Sequence, residues 1–177
     1  MNASLHLAYT NEASPEFLLC LDDCPFTKQQ LADFDEQSLA IVHQQQTYAK
    51  AHPPIAIYRV ATEGSQTRDG GVVQQGTAPL EFTLANGDQV RAARKGDLVV
   101  YADGSTARIV TTAGEGNSHV ALVGSLLSNG DEIINTPQGK ALLIARDGVP
   151  KAEDFLPPLQ QMDLAPLRSD DTKGKIQ

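Results

Sequence analysis

Between residues 84 and 145 the chain uses one turn-rich pattern twice. LANGDQVRAARKGDLVVYA (84–102) aligns without a gap with LSNGDEIINTPQGKALLIA (127–145). Asn86/Asn129, Gly87/Gly130, Asp88/Asp131, Gly96/Gly139 and Ala102/Ala145 are identical, and Val90/Ile133 and Val99/Leu142 are conservative. Asn-Gly and Asp-Gly pairs are turn chemistry, because Gly adopts positive φ without steric cost and Asn or Asp bonds its own backbone. The Val, Leu and Ile between them are strand formers. Turns this close leave no room for the crossover helices that a parallel sheet needs. The chain is therefore expected to be mainly β, a small body of short antiparallel strands built from a repeated unit. Gly70, Gly71, Gly87, Gly96, Gly104, Gly130 and Gly139 are its expected structural turn glycines.

The β language runs from residue 55 to 149. Residues 1–54 read as an α+β extension of short strands followed by one amphipathic helix. SLHLAYT alternates apolar and polar residues like a half-buried strand, and PEFLLCLDDCP holds a second short apolar run. Thr27 and Gln30 form a capping box, and Phe26 with Leu31 a hydrophobic staple. Leu31, Phe34, Ile41 and Tyr48 then recur at helical spacing, predicting a helix over 28–50 that Pro53 and Pro54 stop. Its apolar stripe is expected to pack on its own domain, with a dedicated partner-binding helix as the alternative. Residues 150–177 are Pro-interrupted and then polar, an extended tail.

Charge narrows the partners. The 22 acidic and 14 basic residues leave a net charge of −8, and no Lys/Arg run segregates a basic patch, so nucleic acid is not an expected partner. No positive n-region or long apolar run marks a signal peptide or membrane anchor, which predicts a cytoplasmic start. Cys20 and Cys24 make a lone CxxxC. They are read as reduced thiols in a small apolar cluster, with a zinc site completed by histidine as the alternative.

Catalytic patterns are absent. The chain has no GxSxG elbow, no Walker-type phosphate loop and no HExxH. Gly114 and Gly116 sit two apart without a following helix and read as loop. His119 is the only histidine after residue 52 and, without a partner triad, reads as a packed or solvated side chain rather than a base or ligand. The adjacent pairs Asp22/Asp23 and Asp170/Asp171 point apart or into solvent.

KGDLVVYADGSTARIV resembles the strands of Hint domains, which would imply self-processing. The TxxH motif and terminal His-Asn of that family are missing. A fuller resemblance covers roughly residues 58–148. ATEGSQTRDGGVVQQG (61–76), NGDQVRAARKGDLVVYADG (86–104) and VALVGSLLSNGDEIINTPQ (120–138) follow in the order seen in PAAR-repeat domains, which cap the spike of type VI secretion systems. The resemblance implies a small β-cone, not an enzyme. Its partner would be a VgrG-type spike trimer, with an effector or chaperone held through residues 1–54 or 150–177. It also implies a cytoplasmic protein that leaves the cell through that apparatus. Family members place His and Cys metal ligands near the apex, whereas this chain has Asp69 before Gly70-Gly71, with His119 as the only histidine of the segment. No cofactor is therefore expected, and Asp69, His119, Cys20 and Cys24 are the weak candidates should zinc bind. A free-standing β-rich adaptor or immunity-type module is the further alternative.

Overall fold

The computed structural model describes residues 8–160 together with 163 and 164. Among the described residues three helices come first: α1 (Pro15–Cys20), α2 (Lys28–Ala32) and α3 (Glu36–Ala51). Seven short strands follow: β1 (Pro54–Arg59), β2 (Val72–Val73), β3 (Glu81–Thr83), β4 (Gln89–Arg91), β5 (Leu98–Val100), β6 (Thr106–Arg108) and β7 (Leu142–Arg146). They form three small sheets, in the orders β1–β7, β2–β5–β6 and β3–β4. The chain is β-rich. By contact its described residues divide into two compact units: one from residues 8–10, 59–141 and 152 onward, and one from residues 11–58 with 142–151.

The β unit has a repeat that the linear alignment misses. Ala61, Ala93 and Ala121 are each fully buried, and their backbones form a closed cycle. The Ala61 N–H donates to Ala121 O at 2.9 Å, Ala121 N–H to Ala93 O at 2.8 Å, and Ala93 N–H to Ala61 O at 2.9 Å. Bridges Val60–Leu122, Thr62–Ala92 and Arg94–Val120 repeat that order. Each alanine opens an equivalent turn, with Gly64, Gly96 and Gly124 at φ +88°, +91° and +105°. Only glycine takes that conformation without strain. The next side chain, Ser65, Asp97 or Ser125, accepts the amide of Thr62, Arg94 or Leu122 at 2.9 Å in every case.

A hairpin then closes in each arm, through Val73 N–H to Ser65 O, Ile109 N–H to Asp97 O and Ile133 N–H to Ser125 O. The three hairpins also pair with one another in cyclic order. Val73 faces Val99, Ile109 faces Leu127, and Ile133 faces Thr67. Val73, Ile109 and Ile133 point inward with the three alanines, so the core is aliphatic and small. The hairpin over 97–109 is four residues longer than those over 65–73 and 125–133.

Several expectations change. The match of 84–102 with 127–145 is local: Leu84 N–H donates to Asp88 O at 2.7 Å and Leu127 N–H to Asp131 O at 2.8 Å, giving the same Asn-Gly-Asp turn twice. Beyond that turn the two copies diverge. Gly96 is left-handed, but Gly139 is not and is needed for space, since a Cβ there would lie 2.6 Å from the Tyr9 ring. Gly71 is likewise a close-approach glycine, its Cβ position 2.6 Å from Val99 Cγ1. Gly70, Gly87, Gly104 and Gly130 do turn with positive φ.

The apolar run after Ser14 is a helix, not a strand. Ser14 accepts the Phe17 amide at 3.1 Å and Pro15 occupies the first helical turn, signals that outweigh β propensity over six residues. The single helix expected over 28–50 is two. The capping box is present, with Thr27 N–H to Gln30 Oε1 at 2.9 Å and Gln30 N–H to Thr27 Oγ1 at 3.1 Å. Asp35, with an extended backbone, then starts α3 by accepting the Ser38 amide at 2.7 Å. Phe26 packs edge-on against Phe34 at 4.9 Å. Ile41 and Tyr48 of the expected core stripe are 55% and 47% exposed. The SLHLAYT strand falls mostly outside the described residues; Tyr9, within them, pairs with Thr136.

The alanine cycle leaves no space for a longer side chain. Ala93→Leu is expected to destabilise the β unit by about 1–3 kcal/mol through overpacking. Ala102→Leu, on an exposed turn, should stay within about 0.5 kcal/mol of wild type in the same urea-unfolding measurement.

Candidate functional site

The residues singled out for chemistry do not converge. Asp69 is exposed at the tip of the first hairpin and contributes its backbone N–H, at 3.2 Å from Asp131 Oδ1. His119 follows the short 3-10 turn Glu115–Asn117; its carbonyl accepts Lys95 N–H and its amide donates to Gly114 O. Cys20 and Cys24 are free thiols and exposed, not packed in an apolar cluster. Among the described residues, no group of three or more His, Cys, Asp and Glu side chains is placed to hold a metal ion.

Instead, a buried carboxylate joins the three hairpin tips. Asp131, 2% exposed in the third hairpin, accepts the Tyr101 hydroxyl of the second at 2.6 Å. It also accepts the Glu132 amide at 2.8 Å, the Asp69 amide and the Thr67 hydroxyl. Thr67 Oγ1 in turn accepts Gly71 N–H at 2.8 Å, and Asn129 donates to the Tyr101 oxygen at 2.9 Å. Burial pushes the Asp131 carboxyl up, but the bonds from Thr67, Tyr101 and the two amides outweigh it and hold the pKa below the usual 3.8. The Tyr101 phenol is raised, first by burial and then by donating to Asp131. A metal of the kind the family resemblance implies does not fit here. The available side chains bond one another, Asp69 offers its amide rather than its carboxylate, and His119 belongs to a different set of contacts.

The opposite end of each arm is tied by its own polar device. Each arm has an outer segment bonded beside it, through Ala78 N–H to Ala92 O at 3.1 Å, Ala113 N–H to Val120 O at 2.9 Å and Val60 N–H to Ala141 O at 3.1 Å. At the Ala92 corner, buried Asp97 accepts the Thr77 hydroxyl at 2.6 Å and the Thr77 amide at 2.9 Å. At the Val120 corner, Asp154 accepts the Glu115 amide at 2.8 Å, and the missing Cβ of Gly114 makes room for its carboxylate. The Gly114/Gly116 loop is thus occupied by the chain's own anion. At the Val60 corner, Gln138 uses both amide hydrogens, on Val60 O and Ala141 O, and accepts from the Lys140 and Ala141 amides. Arg59 braces the same corner, donating to Thr10 O at 2.7 Å and Gly139 O at 2.9 Å with Tyr9 below its guanidinium. Each of the three similar arms is thus tied at its outer end by a different set of polar contacts.

The second unit carries the other notable cluster. Arg146 on β7 forms a bidentate pair with Asp22, at 2.6 and 2.9 Å, and donates to His52 O at 3.1 Å. The Arg146 hydrogen bond holds the Asp22 carboxyl below its usual range, against a smaller upward push from burial. The alanine triplet, Asp131, Gln138 and the Asp22–Arg146 pair were not found from sequence. Asp131 looks like an ordinary third residue of an Asn-Gly-Asp turn, and only the spacing of the Ala-x-x-Gly turns signalled the arms.

No family model, curated protein or solved structure matches the chain.

Asp131→Asn keeps the shape but loses the charge-assisted bonds, and is expected to destabilise the β unit by about 1–3 kcal/mol at neutral pH. Because the folded pKa lies below 3.8, the wild-type contribution is complete above that value and is lost as pH falls through the folded pKa. The stability difference between the two proteins, measured by urea titration, should therefore shrink on acidification below 3.8 and remain constant between pH 6 and 8.

Proposed function

We propose that the chain is a non-catalytic docking tip of the PAAR-repeat kind, seated one copy per VgrG-type trimer and helping to load or deliver an effector. The observation that supports this reading is the cycle of Ala61, Ala93 and Ala121 with its three similarly paired hairpins. A trimer presents three identical chains around one axis, and a single partner satisfies all three only if it offers a comparable surface to each. Three quasi-equivalent arms within one chain meet that condition. The β-cone implied by the family resemblance is part of the same proposal, and its short strands carry recognition by backbone pairing and shape. The net charge of −8 favours a protein partner over nucleic acid.

In this reading the tip is held together by Asp131 and its partners without a metal, and the effector attaches through residues 1–54 or 150–177. The protein waits in the cytoplasm and leaves the cell with the spike. Co-expression with the VgrG-type protein of the same genome should give a complex with one copy of this chain per three spike chains by native mass spectrometry. Absence of any complex, or three copies per trimer, would refute the proposal. Dialysis against EDTA should leave the melting temperature unchanged, and stoichiometric zinc in the purified protein would overturn the metal-free tip.

A further inference from the structure

The helical unit exposes several large apolar side chains. Leu19, Ile41, Tyr48 and Ile55 are 75%, 55%, 47% and 57% exposed. The same unit contains a groove of about 550 Å³. One wall is the α3 face carrying Val42, Gln46 and Ala49, spaced four and three residues apart so that they stack along the helix. The other wall is the segment Asp22–Phe26, and Tyr48 and Arg146 also line the groove. Val42, Gln46 and Ala49 are half-buried, so the floor is formed while its rim stays open to solvent.

Charge identifies the occupant. Residues 11–58 and 142–151 hold eight Asp and Glu against four Lys and Arg, a net charge of −4. Within the groove, Arg146 is consumed by Asp22 in a bidentate pair and offers no cationic site for an anion. Asp23, next to it, has no ion-pair partner among the described residues. The lining therefore combines the apolar side chains of Val42, Ala49 and, on the opposite wall, Phe26 with an uncompensated carboxylate. Such a surface attracts a basic segment with apolar side chains and repels acidic peptides and anionic membranes.

We propose that the groove between α3 and Asp22–Phe26 is a docking site for a cationic, apolar peptide segment of a partner protein. The segment sets an apolar side chain against Val42 and Ala49 and a Lys or Arg against Asp23. The site is independent of the trimer-docking reading, because every residue it uses lies in the helical unit.

The test uses the full chain and a fluorescent ten-residue peptide of Lys and Leu, with a Glu/Leu peptide of the same pattern as control. Fluorescence anisotropy should show saturable binding of the Lys/Leu peptide and none of the Glu/Leu peptide. Asp23→Lys should weaken binding by about tenfold or more, and Val42→Glu should remove it. Ile55→Glu, exposed on β1 and outside the groove lining, should bind like wild type. Amide chemical shifts in the wild-type protein should move at residues 22–26 and 42–49 on peptide addition, which is readable without any variant. Equal binding of both peptides, affinity unchanged in Asp23→Lys, shift changes elsewhere, or no binding at millimolar peptide would each overturn the proposal. So would groove-dependent binding to phosphatidylglycerol vesicles, which would make the occupant a membrane. Loss of trimer binding with peptide binding intact would defeat the spike-tip reading alone.

Discussion

Three backbone hydrogen bonds, Ala61 to Ala121, Ala121 to Ala93 and Ala93 to Ala61, set the geometry on which the β unit depends. Each joins an arm to its neighbour, so moving one arm breaks two bonds of the cycle. Alanine suits the position because its methyl group fills the narrow centre without forcing the backbones apart. The turn that follows each alanine aims a hairpin, and the hairpins meet again through Val73, Ile109 and Ile133. With a core this small, hydrophobic burial alone leaves little margin, and the buried polar groups Asp131, Asp97 and Gln138 add directional ties between arms and to the neighbouring segments. Among the described residues, no buried side-chain polar atom of an unexposed residue lacks a partner. Such networks stabilise only when they are fully satisfied.

Much of this was readable from residue types, but not its arrangement. Turn glycines and strand formers predict a β-rich centre, and the structure has one. The capping box at Thr27 is present, whereas Asp35, three residues past the end of α2, was read as an interior helix position and is instead a second N-cap. Periodicity favoured one helix because Leu31, Phe34, Ile41 and Tyr48 keep phase across the break. The repeat was found with the wrong boundaries for a similar reason. Asn-Gly-Asp turns at 86–88 and 129–131 are conspicuous, while the arms share only Ala-x-x-Gly followed by Ser or Asp, at 61–65, 93–97 and 121–125. The segment from the end of the first hairpin at Val73 to Ala93 is eight residues longer than that from Ile109 to Ala121, which makes the spacing between successive turns unequal and hides that pattern. Contacts such as Tyr101 with Asp131 or Gln138 with Val60 join residues 30 and 78 positions apart and leave no local trace.

The two units rely on different physics. In the β unit, position is fixed by backbone bonds between arms and by polar groups with almost no exposure. In the helical unit, α1, α2 and α3 have no fully buried residues. The Asp22–Arg146 pair, about one-fifth exposed on each side, joins the segment after α1 to β7. The helical unit thus leaves Leu19, Ile41 and Tyr48 exposed, whereas the β unit encloses Val73, Ile109 and Ile133 in its core.

The unequal hairpins have a consequence for how such a molecule can change. In a symmetric trimer every substitution appears three times, and its cost or benefit is tripled with it. Here each arm is a separate stretch of gene, so one arm can be altered while the other two preserve the frame. The differences already present fit that freedom: Ser65 and Ser125 occupy equivalent positions in the first and third arms, but Asp97 in the second takes on Thr77 as well. A single chain can thus keep a threefold backbone while giving each third of it a different task.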